Sequence, residues 1–156
     1  MPTPTSDRVR LNTSEQVDSE LHRQTERRIA FYAMHPELIE SRLRELDEEW
    51  DIERLIETEA PTVTLFGLLM GALFGRKWLI LPLFAQSMVL MHAVQGYYPL
   101  LPLFRRLGFR TEREIAAERY ALKAIRGDFK PLSEGPAGGN GRRRADQAFE
   151  ATQVWR

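Results

Sequence analysis

One apolar stretch, residues 61–104, constrains the fold of this chain more than any other feature. It contains two adjacent charged residues, Arg76 and Lys77, and one further titratable residue, His92. Charged residues make up 28% of the whole chain, so its zero formal charge and mean hydropathy of −0.38 average two very different populations. Such a stretch predicts either membrane-spanning helices or a helical hairpin buried inside a soluble oligomer.

The charged pair divides the stretch into an apolar segment at 60–74 and a second at 78–97. A membrane span needs about 20 apolar residues. The second segment meets this, whereas the first reaches only about 22 Å at about 1.5 Å per residue. Sparse charge, a basic turn, and aromatic residues at Trp78 and Tyr97-Tyr98 favour the membrane over a soluble core. We predict a two-pass hairpin whose first pass is a full, tilted or re-entrant span.

The flanks of the hairpin have helical patterns. Residues 14–34 predict a helix that His35-Pro36 interrupts, and a stripe at spacings of four, three and four predicts an amphipathic helix after it. That stripe consists of Ile39, Leu43, Leu46 and Trp50. Thr111-Glu-Arg-Glu resembles a helix start, and Gly127 a helix end.

The predicted fold class is all-α, a membrane helical hairpin flanked by cytoplasmic amphipathic helices. Its segments are a flexible leader at 1–13, cytoplasmic helices at 14–59, the transmembrane hairpin at 60–104, a basic juxtamembrane helix at 105–130 and a disordered tail at 131–156. Nine positive residues flank the hairpin and two lie in its turn. This excess predicts that both termini are cytoplasmic.

Three glycines, Gly67, Gly71 and Gly75, recur every four residues along the first apolar segment. Missing side chains on one helix face allow another backbone to approach closely. This face is predicted to pack against another helix. The partner is either a second copy of the chain or the second helix of the same hairpin.

The second apolar segment carries four polar residues, Gln86, Ser87, His92 and Gln95. They form either a polar strip along a permeation path or a set of hydrogen bonds between helices of a dimer. Two helices cannot enclose a pore, which favours the hydrogen bonds. His92 is the titratable group at membrane depth and therefore the strongest single candidate.

Basic and aromatic residues at the ends of the hairpin predict contacts with lipid headgroups. They are Arg76, Lys77, Trp78, Arg105, Arg106 and Arg110. Residues 40–60 carry a net charge of −6 and residues 105–130 a net charge of +4. The two flanks are therefore also predicted to pair in part, with Arg105 opposite acids between Glu45 and Glu53.

The chain has no cysteine, which excludes disulfides, cysteine zinc sites and cysteine nucleophiles. No nucleophile–base pair or glycine-rich phosphate loop is recognisable. We predict a protein that is not an enzyme and has no metal site and no cofactor. Arg142–Arg144 are too few to predict a nucleic-acid partner.

The segment Leu101-Pro-Leu-Phe-Arg-Arg-Leu-Gly-Phe-Arg-Thr111 resembles the end of the YgaP-like transmembrane domain family, a two-helix bacterial inner-membrane domain. The matching positions are Pro102, Leu103, Phe104, Leu107, Gly108 and Thr111. Leu101 stands where the family has cysteine, and Gly96-Tyr-Tyr-Pro-Leu is an insertion. The resemblance implies a bacterial inner membrane and an oligomer, but no particular activity.

These observations together predict a multi-pass inner-membrane protein that contacts lipids, forms a homo-oligomer and acts as an anchor or scaffold for a cytoplasmic protein partner. The alternative is an oligomeric component for the permeation of small solutes or ions, built around Gln86, His92 and Gln95.

Overall fold

The computed structural model describes residues 9, 11–130 and 141–152, in which helices are the regular secondary structure and no strand occurs. The all-α prediction is confirmed for these residues. Their α-helices are α1 (Glu15–Met34), α2 (Ile39–Glu48), α3 (Ile52–Phe74), α4 (Ile80–Gln95), α5 (Leu101–Arg106), α6 (Glu112–Arg126) and α7 (Gly141–Thr152). The chain forms two units, Met1–His22 with Trp50–Arg113, and Arg23–Glu49 with Glu114–Arg156. They are called the hairpin unit and the second unit below.

Helices α3 and α4 of the hairpin unit pack against each other as a helical hairpin. Asp51 begins α3, since its carboxylate accepts a hydrogen bond of 2.6 Å from the Arg54 backbone N–H. The helix continues through Pro61, so the predicted boundary between 59 and 60 falls inside one helix.

The turn of the hairpin begins at Gly75, whose φ of 102° ends α3. A 3₁₀ helix, Arg76–Leu79, then leads directly into α4. Arg76–Gln95 is therefore long and apolar enough to cross a membrane. Only 11% of the most apolar 18 residues of this segment are buried. Helix α3 does not meet the same criterion because Glu53, Glu57 and Glu59 occupy its first turns.

The base of the hairpin contains the core of this unit. The buried members are Val9, Ile52, Ile56, Tyr98, Leu101 and Phe104. Val9 is buried, so the predicted flexible leader at 1–13 is corrected at this position. The other residues of that leader that the structure describes are 11–13. Tyr98 is buried rather than interfacial, because it lies beyond the Gly96 helix end and turns into this core.

The second unit has its own apolar core, formed by Ile39, Leu43, Leu46, Ile115 and Leu122. The predicted stripe on α2 is confirmed at its first three positions. Trp50 is the exception, because α2 ends at Glu48 and Trp50 is 41% exposed. The 3₁₀ turn Pro36–Leu38 follows the predicted interruption at His35-Pro36.

Helix α6 begins after Thr111 and ends before Gly127, as the start and end signals predict. The predicted helix at 105–130 is corrected, because Arg105 and Arg106 belong to α5 and residues 107–111 separate the two helices. Gly127 has a φ of 94°, and its N–H donates to the carbonyl oxygens of Lys123 and Ala124 at 3.1 Å. The Asp128 N–H also donates to the Lys123 carbonyl, which completes a Schellman cap.

The predicted disordered tail contains a helix. Residues 141–152 form α7, in which Ala151 is buried. Its carbonyl oxygen accepts a 3.2 Å hydrogen bond from the buried Lys123 ammonium group. The rest of the predicted tail, residues 131–140 and 153–156, lies outside the described residues.

Candidate functional site

The hairpin fills the glycine face of α3 with its own second helix. A Cβ added at Gly71 would lie 2.7 Å from the Leu79 Cδ2 atom, and one added at Gly67 would lie 2.9 Å from the Leu81 Cβ atom and closer still to Pro82. Both distances are shorter than real Cβ contacts allow. The spacing leaves two partners open, a second copy of the chain or the second helix of the same hairpin. At Gly67 and Gly71 the second helix of the same hairpin occupies this face.

Gly75 differs from the other two glycines. A Cβ built there meets no atom within 4 Å, so the residue does not contribute a packing surface. Its positive φ places it at the end of α3, where a side chain would strain the backbone. The predicted packing role at Gly75 is therefore corrected to a role in the turn.

The four polar residues of α4 do not share one surface. Gln86, Ser87 and Gln95 are exposed, whereas His92 is buried. The Gln86 Nε2 group donates to the Thr64 hydroxyl of α3 at 2.8 Å, and the Ser87 hydroxyl donates to its own helix at the Leu83 carbonyl. Within this hairpin, Gln86, His92 and Gln95 therefore do not line one common permeation path.

A polar cluster that sequence reasoning missed lies at the base of the hairpin. The Tyr98 hydroxyl donates to the Glu59 carboxylate, and the His92 ring meets the Tyr98 ring edge to face with centroids 6.0 Å apart. The cluster joins the end of α4 to the polar half of α3.

The six predicted headgroup residues divide into two groups. Arg76, Lys77 and Arg106 are exposed, and Trp78 is partly buried, with its ring edge to face with that of Phe66. Arg105 and Arg110, in contrast, are only 1% and 3% exposed, so the prediction is wrong for both.

Arg105 is buried because it has partners inside the hairpin unit. One guanidinium nitrogen lies 3.3 Å from an Asp18 carboxylate oxygen, and another donates to the Phe109 carbonyl. The Arg110 backbone carbonyl accepts a hydrogen bond of 3.0 Å from the Ile52 N–H, at an isolated bridge between Asp51 and Arg110. The motif Leu101–Thr111 therefore contributes to the core of this unit.

Oppositely charged flanks pair within the second unit. Arg119 contacts Asp47 at 2.6 Å, and Arg126 pairs with Glu40. These contacts confirm partial pairing between the two flanks, although Arg105 pairs with Asp18 rather than with Glu45–Glu53. Arg126 also contacts Asp128 at 2.6 Å, and this hydrogen-bonded arginine lowers the pKa of the Asp128 carboxyl.

The most buried charge of the second unit is Glu118 on α6. Its side chain has no exposed surface, and its carboxylate lies between the Arg28 and Arg42 guanidinium groups at 3.2 and 3.0 Å. The buried carboxylate is thereby neutralised by two cations on other helices.

The outer surface of the hairpin is apolar and exposed. The large exposed side chains on α3 are Leu65, Phe66, Leu68, Leu69, Leu73 and Phe74, and those from Leu79 through α4 are Leu79, Ile80, Leu83, Phe84, Leu90 and Val94. These twelve residues are called the apolar belt. They lie between the basic turn and the polar base of the hairpin.

Among residues 9, 11–130 and 141–152, no three His, Cys, Asp or Glu side chains are grouped so that they could hold a metal ion. Comparison with protein families, with curated proteins and with solved structures finds no match. The resemblance of Leu101–Thr111 to the YgaP-like family stays a prediction.

Proposed function

We propose that this protein is a small integral protein of the bacterial inner membrane, a self-associating anchor or scaffold for a cytoplasmic protein partner. The proposed role is not enzymatic. The hairpin inserts into the bilayer, with Arg76 and Lys77 at the far surface and both flanks on the cytoplasmic side. The resemblance of Leu101–Thr111 to a bacterial inner-membrane domain supports this location.

The apolar belt is the observation that carries the proposal. Soluble monomers rarely expose contiguous apolar patches larger than a few hundred Å². Twelve large apolar side chains around two packed helices form a surface suited to lipid tails. The belt ends at charged residues on both sides, as the boundaries of a bilayer require.

The two helices would cross the bilayer to different extents. The 20 residues Arg76–Gln95 reach about 30 Å, which is the thickness of the hydrocarbon core. The apolar part of α3 is shorter, and Glu59 at its start is hydrogen-bonded to Tyr98. Tilting or local thinning of the bilayer would accommodate the difference in length.

The second unit supports the scaffold part of the proposal. It has an apolar core of its own. Phe31, Met34 and Leu38 are large apolar residues exposed around the His35-Pro36 interruption. A patch of this kind suits contact with another protein.

Membrane fractionation of cells that express the chain tests the proposal. We expect the protein in the membrane pellet, resistant to extraction with alkaline carbonate. Phe84→Arg places a charge in the belt near the midpoint of Arg76–Gln95, at a cost of about 3 kcal/mol, and should reduce the carbonate-resistant fraction. The matched control is Leu107→Arg, at an exposed leucine outside both apolar segments. Wild-type protein that stays in the supernatant would contradict the proposal.

A further inference from the structure

Among the residues that the structure describes, Arg76–Gln95 is the one helical segment long and apolar enough to span a membrane, and Gln86 is exposed at its midpoint. Its Nε2 group donates to the Thr64 hydroxyl at 2.8 Å. That is the one hydrogen bond its side chain makes within the described part of the chain. The amide carbonyl and the second N–H are therefore left at the outer surface of the hairpin.

An exposed amide at this depth needs a polar partner from outside the hairpin. Lipid tails offer neither donor nor acceptor, so an unsatisfied amide in the hydrocarbon core is costly. Ser87 does not have this need, because its hydroxyl already donates to the Leu83 carbonyl. Gln86 is thus the mid-depth position on α4 where lipid is a poor neighbour, whereas the other exposed amide, Gln95, lies at the end of the helix.

Gln86 also belongs to a stripe with the spacing of a helix–helix seam. Leu83, Gln86, Leu90 and Ala93 recur at intervals of three, four and three residues, as a and d positions do in a coiled coil. Leu83 and Leu90 are 65% and 66% exposed, so the hairpin itself does not cover this stripe. The glycine face, in contrast, is occupied from within.

We propose that two copies of this chain associate along the stripe of Leu83, Gln86, Leu90 and Ala93, with the two Gln86 side chains hydrogen-bonded to each other. The Oε1 atom of each amide accepts from an Nε2–H of the other. This inference rests on the proposed membrane location and identifies the surface of the proposed self-association.

A second copy is the occupant that the geometry favours. A carboxamide carries a donor and an acceptor, so it complements an identical group across a two-fold axis. Copies inserted in the same direction also bring their midpoints to one depth, which places Gln86 opposite Gln86. A single polar residue in an apolar seam fixes the register in this way.

Förster transfer between labelled copies of the full chain in phosphatidylcholine–phosphatidylglycerol vesicles tests the proposal. We expect Gln86→Leu to weaken association about 5- to 30-fold. Thr64→Val removes the hydrogen bond within the hairpin but keeps Gln86, and should leave association intact. Unchanged association in Gln86→Leu, or an equal loss in Thr64→Val, would overturn the assignment.

Cysteine crosslinking in native membranes locates the seam, since the chain has no cysteine of its own. Leu90→Cys should form a disulfide-linked dimer under mild oxidation. Phe84→Cys is the matched control, because it is also exposed and lies on the far side of α4 from Gln86. Equal crosslinking at both positions, or crosslinking of Leu90→Cys only to a different protein, would overturn the proposal.

The two proposals fail in distinguishable ways. A chain that does not integrate into vesicles overturns the membrane anchor and this interface with it. A chain that integrates and resists carbonate but remains monomeric overturns the Gln86 interface alone.

Discussion

At the scale of single residues, Glu118 is the charge whose loss we expect to matter most. Its carboxylate is fully buried between Arg28 and Arg42, so Glu118→Ala leaves two cations facing each other without their common partner. We expect a loss of about 3 kcal/mol in the opening free energy of α2 and α6, measured by amide hydrogen exchange in detergent micelles.

Glu45→Ala is the control for this prediction. Glu45 contacts the same Arg42 at 2.9 Å, but its side chain is 59% exposed. Because water screens an exposed pair, we expect a loss below about 1 kcal/mol. Equal effects of the two substitutions would contradict the special role of Glu118.

The importance of Glu118 and the burial of Arg105 could not be predicted from the sequence. Glu118 bonds to Arg28 across 90 positions, and Arg105 to Asp18 across 87. Local spacing places both residues on polar helix faces, where solvent contact is the ordinary expectation. Which charged side chain leaves that surface depends on partners that only the fold brings near.

At the scale of elements, the close packing of α3 on α4 depends on the absence of a side chain at Gly67. Gly67→Leu would collide with the ring of Pro82 and the Cβ atom of Leu81, and overpacking of this kind costs about 1–3 kcal/mol. We expect the helices to separate. Spin labels at Glu57→Cys and Gln95→Cys should then show a longer and broader distance distribution in vesicles.

The matched control for Gly67→Leu is Ala72→Leu, which adds a similar side chain on the exposed surface of α3. We expect this variant to keep the wild-type distance distribution. An unchanged distribution in Gly67→Leu would show that the two helices do not need the glycine for their contact.

Elements with a long periodic pattern could be predicted, whereas short or polar ones could not. The stripe of Ile39, Leu43 and Leu46 corresponds to the buried face of α2. Helix α5 has six residues, with Pro102 in its first turn, so no periodicity is readable there. Helix α7 follows a glycine-rich segment, and its contact through Ala151 depends on Lys123 elsewhere in the fold.

At the scale of the whole molecule, the charge distribution predicts the direction of insertion. We expect Lys77→Cys, in the turn, to react with a membrane-impermeant maleimide in intact spheroplasts. Ser14→Cys and Arg106→Cys are exposed positions on the flanks and should react only after permeabilisation. Labelling of Arg106→Cys but not Ser14→Cys in intact spheroplasts would instead indicate a single crossing.

The backbone bridge at the base of the hairpin has a consequence for the order of assembly. Asp51 and Arg110 are neighbours in space, although the whole hairpin separates them along the chain. Joining two such distant positions in a disordered chain carries a large loop-closure entropy. Pairing of α3 with α4 shortens the effective loop, so the bridge forms at low entropic cost only afterwards. We therefore expect the hairpin to assemble from its tip towards its base, with the Ile52–Arg110 hydrogen bond closing last.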